Sequence, residues 1–185
     1  MRGAIVRPCF HSYVRTSVYL RDAERLRMLD SSLLEQLQGV FANLSSNLTL
    51  RVRPGTHEKQ AELEELARAV AGTSAKLSVE VAGEPTSSVG LELMRDGRPT
   101  GILFRAVPGG HEFTSLVLAI LNADGKGKLP DEGVRARIAA LRGPLVVRTY
   151  MSLSCTNCPD VVQALNIMAL THPDLQHEII DGGLA

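Results

Sequence analysis

Hydrophobic residues recur along the chain with two alternating periods, one typical of helices and one typical of strands. Spacings of three and four predict helices over residues 31–43, 57–71, 112–122 and 131–141, and a further helix that begins at Asp160. Strict alternation predicts strands over residues 48–52, 77–81, 89–93, 101–106, 145–150 and 175–179. Asp96-Gly97 lies between two of these strands and predicts a tight hairpin turn. The pattern therefore predicts an α/β protein.

The predicted elements fall into two runs that begin alike. The first run has the order α-β-α-β-β-β-α, and its βαβ unit followed by a hairpin and a helix is the thioredoxin arrangement. After the Gly- and Lys-rich stretch 124–128, which we interpret as a hinge, the order α-β-α-β starts again. We therefore predict two tandem thioredoxin-like folds, over residues 28–123 and 124–185. The second fold stops where a hairpin and a last helix should follow, so we expect it to be truncated at its C-terminus, with a bare sheet edge.

Composition and charge fit a globular protein without a strong electrostatic field. The chain is 44% hydrophobic and 22% charged, with 20 basic and 20 acidic residues. This balance favours neither nucleic acid nor an anionic membrane as a partner, and no apolar run approaches transmembrane length. Three cysteines in 185 residues do not make a secreted disulfide framework, so we expect a cytoplasmic protein.

Residues 1–27 differ from the rest of the chain because they hold six arginines and only two acidic residues. We interpret them as a non-native or disordered N-terminal extension, with Met28 as the natural start of the protein. An organellar transit peptide is the alternative that such a composition allows.

Cys155 and Cys158 form a CxxC tetrad between the strand predicted over 145–150 and the helix that follows. Both sulfurs would lie at the positive end of the helix dipole, which favours a thiolate and should lower the pKa of Cys155. The Cys155 thiolate would attack a partner disulfide, and the more buried Cys158 would resolve the mixed disulfide. Pro159 suits an early helical position because its missing N–H has no intrahelical partner there. A strand, a CxxC turn and a helix together predict a redox-active pair.

Two other interpretations of the tetrad stay open. It could be half of a zinc site, although zinc normally takes four ligands and the chain offers only Cys9, His172 and His177 as scattered candidates. The two cysteines could also be a buried structural pair without chemistry.

Three stretches of the sequence carry a resemblance to a known family. They are residues 110–119, residues 152–166, which contain the tetrad, and residues 180–183. Together they resemble the N-terminal domain of the flavoprotein (F) subunit of alkyl hydroperoxide reductase, and the resemblance extends from Met28 to the end of the chain. It implies tandem thioredoxin-like folds that act as a built-in disulfide shuttle for peroxide detoxification.

The resemblance also implies an electron path. Electrons would pass from NADH through FAD and a second CxxC, all in a missing C-terminal part, to Cys155 and Cys158, and then to the disulfide of a separate peroxiredoxin. We expect no cofactor and no metal in the present segment, where no Gly-rich nucleotide motif follows a predicted strand. The implied partners are the peroxiredoxin and the flavoprotein domains of the same polypeptide, and any homodimer should form through the missing part.

The resemblance makes Glu112 a third candidate catalytic residue, because it matches a family glutamate that faces the dithiol and is suspected of moving protons. The alternative is that Glu112 only benefits from the dipole of the helix that it begins. Thr156-Asn157 stands where the family often has His-Asn, and the absence of that cation should raise the pKa of Cys155 and alter the redox potential. A docking module for the peroxiredoxin, with incidental cysteines, is the remaining alternative function.

Overall fold

The computed structural model describes residues Leu29 to Leu184, and the interpretation of residues 1–27 falls outside this range. The helices are α1 (Ser31–Phe41), α2 (Gln60–Ala71), α3 (Phe113–Ala123), α4 (Glu132–Ala139) and α5 (Cys158–Thr171), with a 3-10 turn at Gly110–Glu112. The strands are β1 (Leu48–Val52), β2 (Leu77–Val81), β3 (Leu91–Arg95), β4 (Arg98–Arg105), β5 (Leu145–Met151) and β6 (Leu175–Asp181). Within the described range, no helix is both long and apolar enough to cross a membrane.

The strands form one continuous sheet in the order β2-β1-β3-β4-β6-β5. β1 pairs parallel with β2, and β5 pairs parallel with β6, so each half contains a βαβ unit. β3 and β4 form an antiparallel hairpin, and its turn residues Asp96 and Gly97 have φ of 48° and 77°, as Asp-Gly predicts. The two halves meet where β4 pairs parallel with β6. The predicted order of elements is therefore confirmed, and both halves share a single sheet.

The two faces of this sheet differ in chemistry because side chains alternate along each strand. One face is apolar and packs against the helices, with residues such as Leu50, Phe104 and Ile179 fully buried. The opposite face, which we call the charged face, carries ion pairs between neighbouring strands. These pairs are Arg51–Glu80, Arg51–Glu92, Arg53–Glu92, Arg105–Glu178 and Arg148–Glu178.

Close approach of the two halves requires a glycine in β4. Gly101 has φ of 84°, and a Cβ at this position would collide with the carbonyl oxygen of Leu175 in β6. A side chain here would therefore strain the backbone and separate the strands that join the two halves.

α5 buries part of the stripe that its apolar spacing predicts. The spacing places Val161, Leu165 and Met168 inward, with Val162 and Ala169 widening the stripe, and the fold buries Val162 and Ala169. Val161 is instead 52% exposed, and Asn166 is buried as well. Asn166 faces inward because its side chain bonds to the buried His177. A pattern of apolar residues alone does not place a polar asparagine inside, so the predicted stripe did not include Asn166.

The stretch interpreted as a hinge begins at a fixed residue. Asp124 follows α3 and is only 9% exposed, and its carboxylate accepts hydrogen bonds from the backbone of Ser45 at 3.0 Å and of Ser46 at 2.6 Å. Burial alone would raise the pKa of Asp124, but the bonds from Ser46 and Ser45 lower it below its usual value. The boundary between residues 123 and 124 stays a prediction, and it falls at an anchored residue that ends α3.

Candidate functional site

The two cysteines of the tetrad lie together beyond the end of β5 and are joined by a disulfide bond. Their Cα atoms are 5.5 Å apart, a separation typical of disulfide-bonded residues. A short loop connects β5 to the tetrad, and in it the Cys155 N–H donates to the Ser152 carbonyl at 2.9 Å. The strand, the turn and the helix thus place both sulfurs at one end of the sheet, as the sequence predicted.

α5 begins at Cys158, two residues earlier than predicted, so its unpaired N–H groups lie at the tetrad. The backbone N–H of Cys158 donates to Sγ of Cys155 at 3.2 Å. Pro159 occupies the first turn, where it removes no helical hydrogen bond. When the bridge is reduced, the same N–H and the positive end of the helix would stabilise a negative charge on Cys155.

The tetrad lies between the hydrophobic core and exposed residues at the start of α5. Both cysteines are half-buried, and Cys158 packs against the hydrophobic core. Asp160 lies in the first turn of α5 and is exposed, so its charge opposes a thiolate next to it. Thr156 and Asn157 between the cysteines supply no cation. The two residues between the cysteines therefore add no positive charge to the stabilisation that the helix end gives a thiolate.

The 3-10 turn Gly110–Glu112 from the first half packs against α5 and the tetrad loop. The N–H of His111 points to the Leu153 carbonyl, with N and O 3.4 Å apart. Gly110 has φ of 53°, and a Cβ there would lie 2.8 Å from the same carbonyl oxygen. Only glycine permits this approach without displacing the loop, so the first half of the chain positions the tetrad of the second half. His111 itself is exposed.

Glu112 is fully buried at the end of this turn, with an exposed fraction of 0%. Neither of its carboxylate oxygens has a hydrogen-bond partner within the described chain. Burial raises the pKa of Glu112. The nearby Ser115 hydroxyl, which does not reach hydrogen-bond geometry with the carboxylate, and the charge of His111 offset this only in part. The raised pKa favours the protonated carboxyl group, which can then exchange its proton with a nearby base. It makes no hydrogen bond to either cysteine in the disulfide form.

A second polar connection joins the two halves next to Glu112. Gln163 on α5 donates from Nε2 to the hydroxyl of Ser115 on α3, at 3.4 Å, and Ser115 is fully buried. Sequence reasoning did not identify this pair, since a serine within an apolar helix and a glutamine on another carry no pattern that links them.

Sequence reasoning also missed a buried polar network beneath α5. Nδ1 of His177 lies 2.8 Å from the side-chain oxygen of Asn166, and Nε2 lies 2.8 Å from the Thr149 hydroxyl. An amide oxygen only accepts, so Nδ1 carries the proton and the threonine donates to Nε2. Burial lowers the pKa of His177 to about 4, which keeps the ring neutral. The only indication in the sequence was a histidine at an inward position of an alternating strand.

The two histidines considered as zinc ligands serve other purposes. His177 belongs to the network just described. His172 follows the C-terminal end of α5, and its Nε2 lies 2.9 Å from the Leu141 carbonyl oxygen. Between Leu29 and Leu184, no three His, Cys, Asp or Glu side chains cluster closely enough to hold a metal ion.

Comparison with known proteins points to one family. The F subunit of alkyl hydroperoxide reductase in Pseudomonas aeruginosa is 38% identical over 157 residues, which is 85% of this chain and 30% of that protein. The Staphylococcus epidermidis protein of the same name is 38% identical over 158 residues, and a Bacillus subtilis protein named NADH dehydrogenase is 37% identical over 155 residues. The chain thus spans about 30% of the length of these curated relatives. No family model matches the chain.

Solved structures settle the family. The crystal structure of the N-terminal domain of the Enterococcus faecalis alkyl hydroperoxide reductase AhpF matches with a TM-score of 0.73 and 31% identity, over 83% of this chain and 80% of that one. The chain belongs to the AhpF family. A C503A mutant of the same Enterococcus protein gives a TM-score of 0.74 at 30% identity.

The matched part of AhpF is its N-terminal domain, so the predicted recognition and the predicted tandem thioredoxin-like fold are confirmed. A protein disulfide oxidoreductase from Aeropyrum pernix shares the fold alone, with a TM-score of 0.65 and 15% identity. The roles assigned to Cys155, Cys158 and Glu112 stay predictions after these comparisons.

Proposed function

We propose that this chain is the thiol–disulfide shuttle of an alkyl hydroperoxide reductase flavoprotein of the AhpF type. In this role Cys155 and Cys158 receive two electrons from a dithiol that is reduced by NADH through FAD, and they pass the electrons to the disulfide of a peroxiredoxin. The single observation that carries the proposal is the disulfide between two half-buried cysteines at the start of α5. The flavin and nicotinamide sites, the peroxiredoxin partner and a cytoplasmic location are parts of the same proposal.

The proposed cycle balances in electrons and protons. A thiolate of the donor attacks the Cys155–Cys158 bond, and the second donor thiol then closes the donor disulfide, which leaves both cysteines reduced. The Cys155 thiolate attacks the peroxiredoxin disulfide and releases one peroxiredoxin thiol. Cys158 then attacks the sulfur of Cys155, which restores the bridge and releases the second thiol. Each cycle moves two electrons and two protons from donor to acceptor.

The packing of the two sulfurs supports this division of roles. Cys158 contacts the hydrophobic core, and its N–H is directed at Sγ of Cys155. The residue that accepts this hydrogen bond gains stabilisation as a thiolate, so Cys155 is the better nucleophile. The Cα atoms of Cys155 and Cys158 lie 5.5 Å apart, a backbone separation from which Cys158 can reach the sulfur of Cys155.

We infer that Glu112 exchanges the proton of the resolving thiol. The support is its complete burial, the lack of a hydrogen-bond partner for its oxygens and the contact of its 3-10 turn with α5. A carboxyl group that is buried without a partner is costly, and a structural role would normally satisfy it. Its raised pKa suits a group that must accept and return a proton.

Trapping of the mixed disulfide tests the roles of the cysteines. Cys158→Ser should accumulate a covalent complex with oxidised peroxiredoxin, because no thiol is left to resolve it, whereas Cys155→Ser should form none. Cys9→Ser is the matched control and should react like the unmodified chain. Equal electron transfer by the double variant Cys155→Ser, Cys158→Ser would instead establish a docking module with incidental cysteines.

Glu112→Gln tests the proton transfer, because glutamine keeps the shape and removes the titration. The rate of peroxiredoxin reduction should fall by about a hundredfold or more and lose one ionisation from its pH profile, while the concentration of peroxiredoxin at half-maximal rate stays unchanged. Unchanged rates across the pH range would leave Glu112 without a catalytic role.

A further inference from the structure

A single hydroxyl group connects the helix that carries the cysteines with the surroundings of Glu112. Ser115 lies one helical turn after Glu112 in the chain, and both residues have an exposed fraction of 0%. Nε2 of Gln163 on α5 donates to the Ser115 hydroxyl oxygen at 3.4 Å. Gln163 follows Cys158 by five residues on the same helix, so this bond crosses from the half with the cysteines to the half with the carboxylate.

The Ser115 hydroxyl can accept one hydrogen bond and donate another. Its oxygen has two lone pairs, so the bond from Gln163 leaves the hydrogen of the hydroxyl for a further acceptor. Both oxygens of Glu112 are buried and lack a partner among the described residues. Burial raises the pKa of Glu112 and the Ser115 hydroxyl opposes this effect, although the two groups do not reach hydrogen-bond geometry in the disulfide form. The hydroxyl is therefore close enough to act on the carboxylate.

We propose that Gln163 is a positioning residue for Glu112, because it holds the Ser115 oxygen so that the Ser115 hydrogen is donated to the Glu112 carboxylate when this group ionises. The inference rests on the proposed role of Glu112 in proton exchange. A neutral carboxyl group does not need this donor, whereas a buried anion without a partner is costly. The half with the cysteines thus sets how readily Glu112 gives up its proton.

Gln163 is needed because a serine within a helix has a second possible acceptor. Such a hydroxyl commonly turns back to the carbonyl oxygen four residues earlier, which for Ser115 belongs to His111. A donor that holds the serine oxygen from α5 restricts this rotation. It also polarises the O–H bond, which strengthens the donation. Loss of Gln163 should therefore weaken the bond to the anion and raise the pKa of Glu112.

The charged groups around Glu112 are few on the elements that pack against its 3-10 turn, which are α3, α5 and the tetrad loop. α3 carries no titratable side chain. The turn itself carries the exposed His111, and the start of α5 carries the exposed Asp160. Cys155 and Cys158 do not titrate while they are joined by the disulfide bond. The disulfide form is therefore the one in which the effect of Gln163 on Glu112 is measured without a charge on sulfur.

Carbon-13 NMR of the full chain in its disulfide form, labelled at the glutamate carboxyl carbon, measures the pKa of Glu112 without relying on electron transfer. The signal is assigned by its absence in Glu112→Gln. Ser115→Ala should raise this pKa by about one pH unit or more, because the anion loses a hydrogen bond. Gln163→Met keeps the length of the side chain, removes the donor and should raise the pKa by about 0.3 pH unit or more.

The matched control is Gln176→Met, which makes the same change on β6. Gln176 precedes the inward-facing His177 and therefore lies on the charged face, on the side of the sheet opposite α5. It should leave the pKa of Glu112 unchanged.

A double variant shows whether Gln163 acts through Ser115. If it does, Gln163→Met should have no further effect on the pKa of Glu112 in a Ser115→Ala background, and an additive effect overturns the proposal. A pKa that Gln163→Met leaves unchanged also overturns it. So does a fall in the pKa, because the amide would then accept from the hydroxyl and draw it away from Glu112.

The rate of peroxiredoxin reduction separates this inference from the proposed function. In Gln163→Met, the ionisation of Glu112 in the pH profile should move upward by as much as the NMR titration shows, with an unchanged concentration of peroxiredoxin at half-maximal rate. If Glu112→Gln leaves the rates unchanged, the proposed proton exchange fails. The NMR titration still decides in that case whether Gln163 and Ser115 set the pKa of Glu112.

Discussion

Acid should destabilise this protein through His177, which is completely buried between β6 and α5. Burial lowers its pKa from 6.5 to about 4, so the fold accepts the neutral ring and disfavours the cation. The resulting contribution to stability is fully present above pH 6.5 and is lost as the pH falls towards about 4. Replacing the histidine by glutamine should remove this dependence.

The magnitude follows from the difference in proton binding between the folded and unfolded chains. With the two pKa values above, linkage predicts a loss of about 2 kcal/mol at pH 5, which approaches about 3 kcal/mol at pH 4 and below. Glu112 acts in the opposite direction, because its raised pKa makes the fold more stable as it becomes protonated. Comparing the unmodified chain with His177→Gln at each pH cancels the contribution of Glu112.

Urea denaturation at a series of pH values measures the free energy of unfolding of both proteins. His177→Gln should be less stable at neutral pH, since it disturbs the bonds to Asn166 and Thr149, and its deficit should shrink by about 2 kcal/mol between pH 7.5 and pH 5. A deficit that stays constant over this range would refute the assignment of a neutral, desolvated ring.

Two further changes test how the halves are held together. Gly110→Ala should lower the free energy of unfolding by about 1–3 kcal/mol in thermal unfolding, because its Cβ would lie 2.8 Å from the Leu153 carbonyl oxygen at a φ of 53°. Gly39→Ala is the control, in an open helical position, and should raise the free energy of unfolding by about 0.5–1 kcal/mol. Equal effects of the two variants would contradict the strained contact. Asp124→Ala should lower the free energy of unfolding in urea by about 1–3 kcal/mol, because the N–H and hydroxyl of Ser45 lose their acceptor. An unchanged free energy of unfolding would mean that water replaces the carboxylate.

The elements of the site were predictable because each follows from short-range pattern and spacing. Alternation from Leu145 and the apolar spacing after Cys158 fixed a strand, a turn and a helix around the tetrad. Asp96-Gly97 predicted a tight hairpin turn, and the structure has one, with positive φ at both residues. Such features depend on neighbours in sequence, so they can be inferred without knowledge of the packing.

Long-range polar contacts could not be predicted in the same way. The burial of Asn166 depends on its bond to His177, which lies on another element. A helical wheel shows the residues of one helix only, so it does not reveal that partner. The position of Glu112 was predicted only through the family resemblance, and its lack of a hydrogen-bond partner became visible in the fold. The joining of the two halves in a single sheet through β4 and β6 likewise depends on a pairing between distant segments.

In the proposed function, Cys155 and Cys158 form a reversible two-electron couple in which Cys155 is the reactive thiol. Titration of the full chain in dithiothreitol buffers of defined ratio, with both thiols trapped by alkylation and counted by mass, measures this couple directly. We expect the two thiols to appear together in one two-electron transition, with Cys155 alkylated faster than Cys158 at neutral pH once reduced. Two equally slow thiols that form no bridge under mild oxidant would contradict the account.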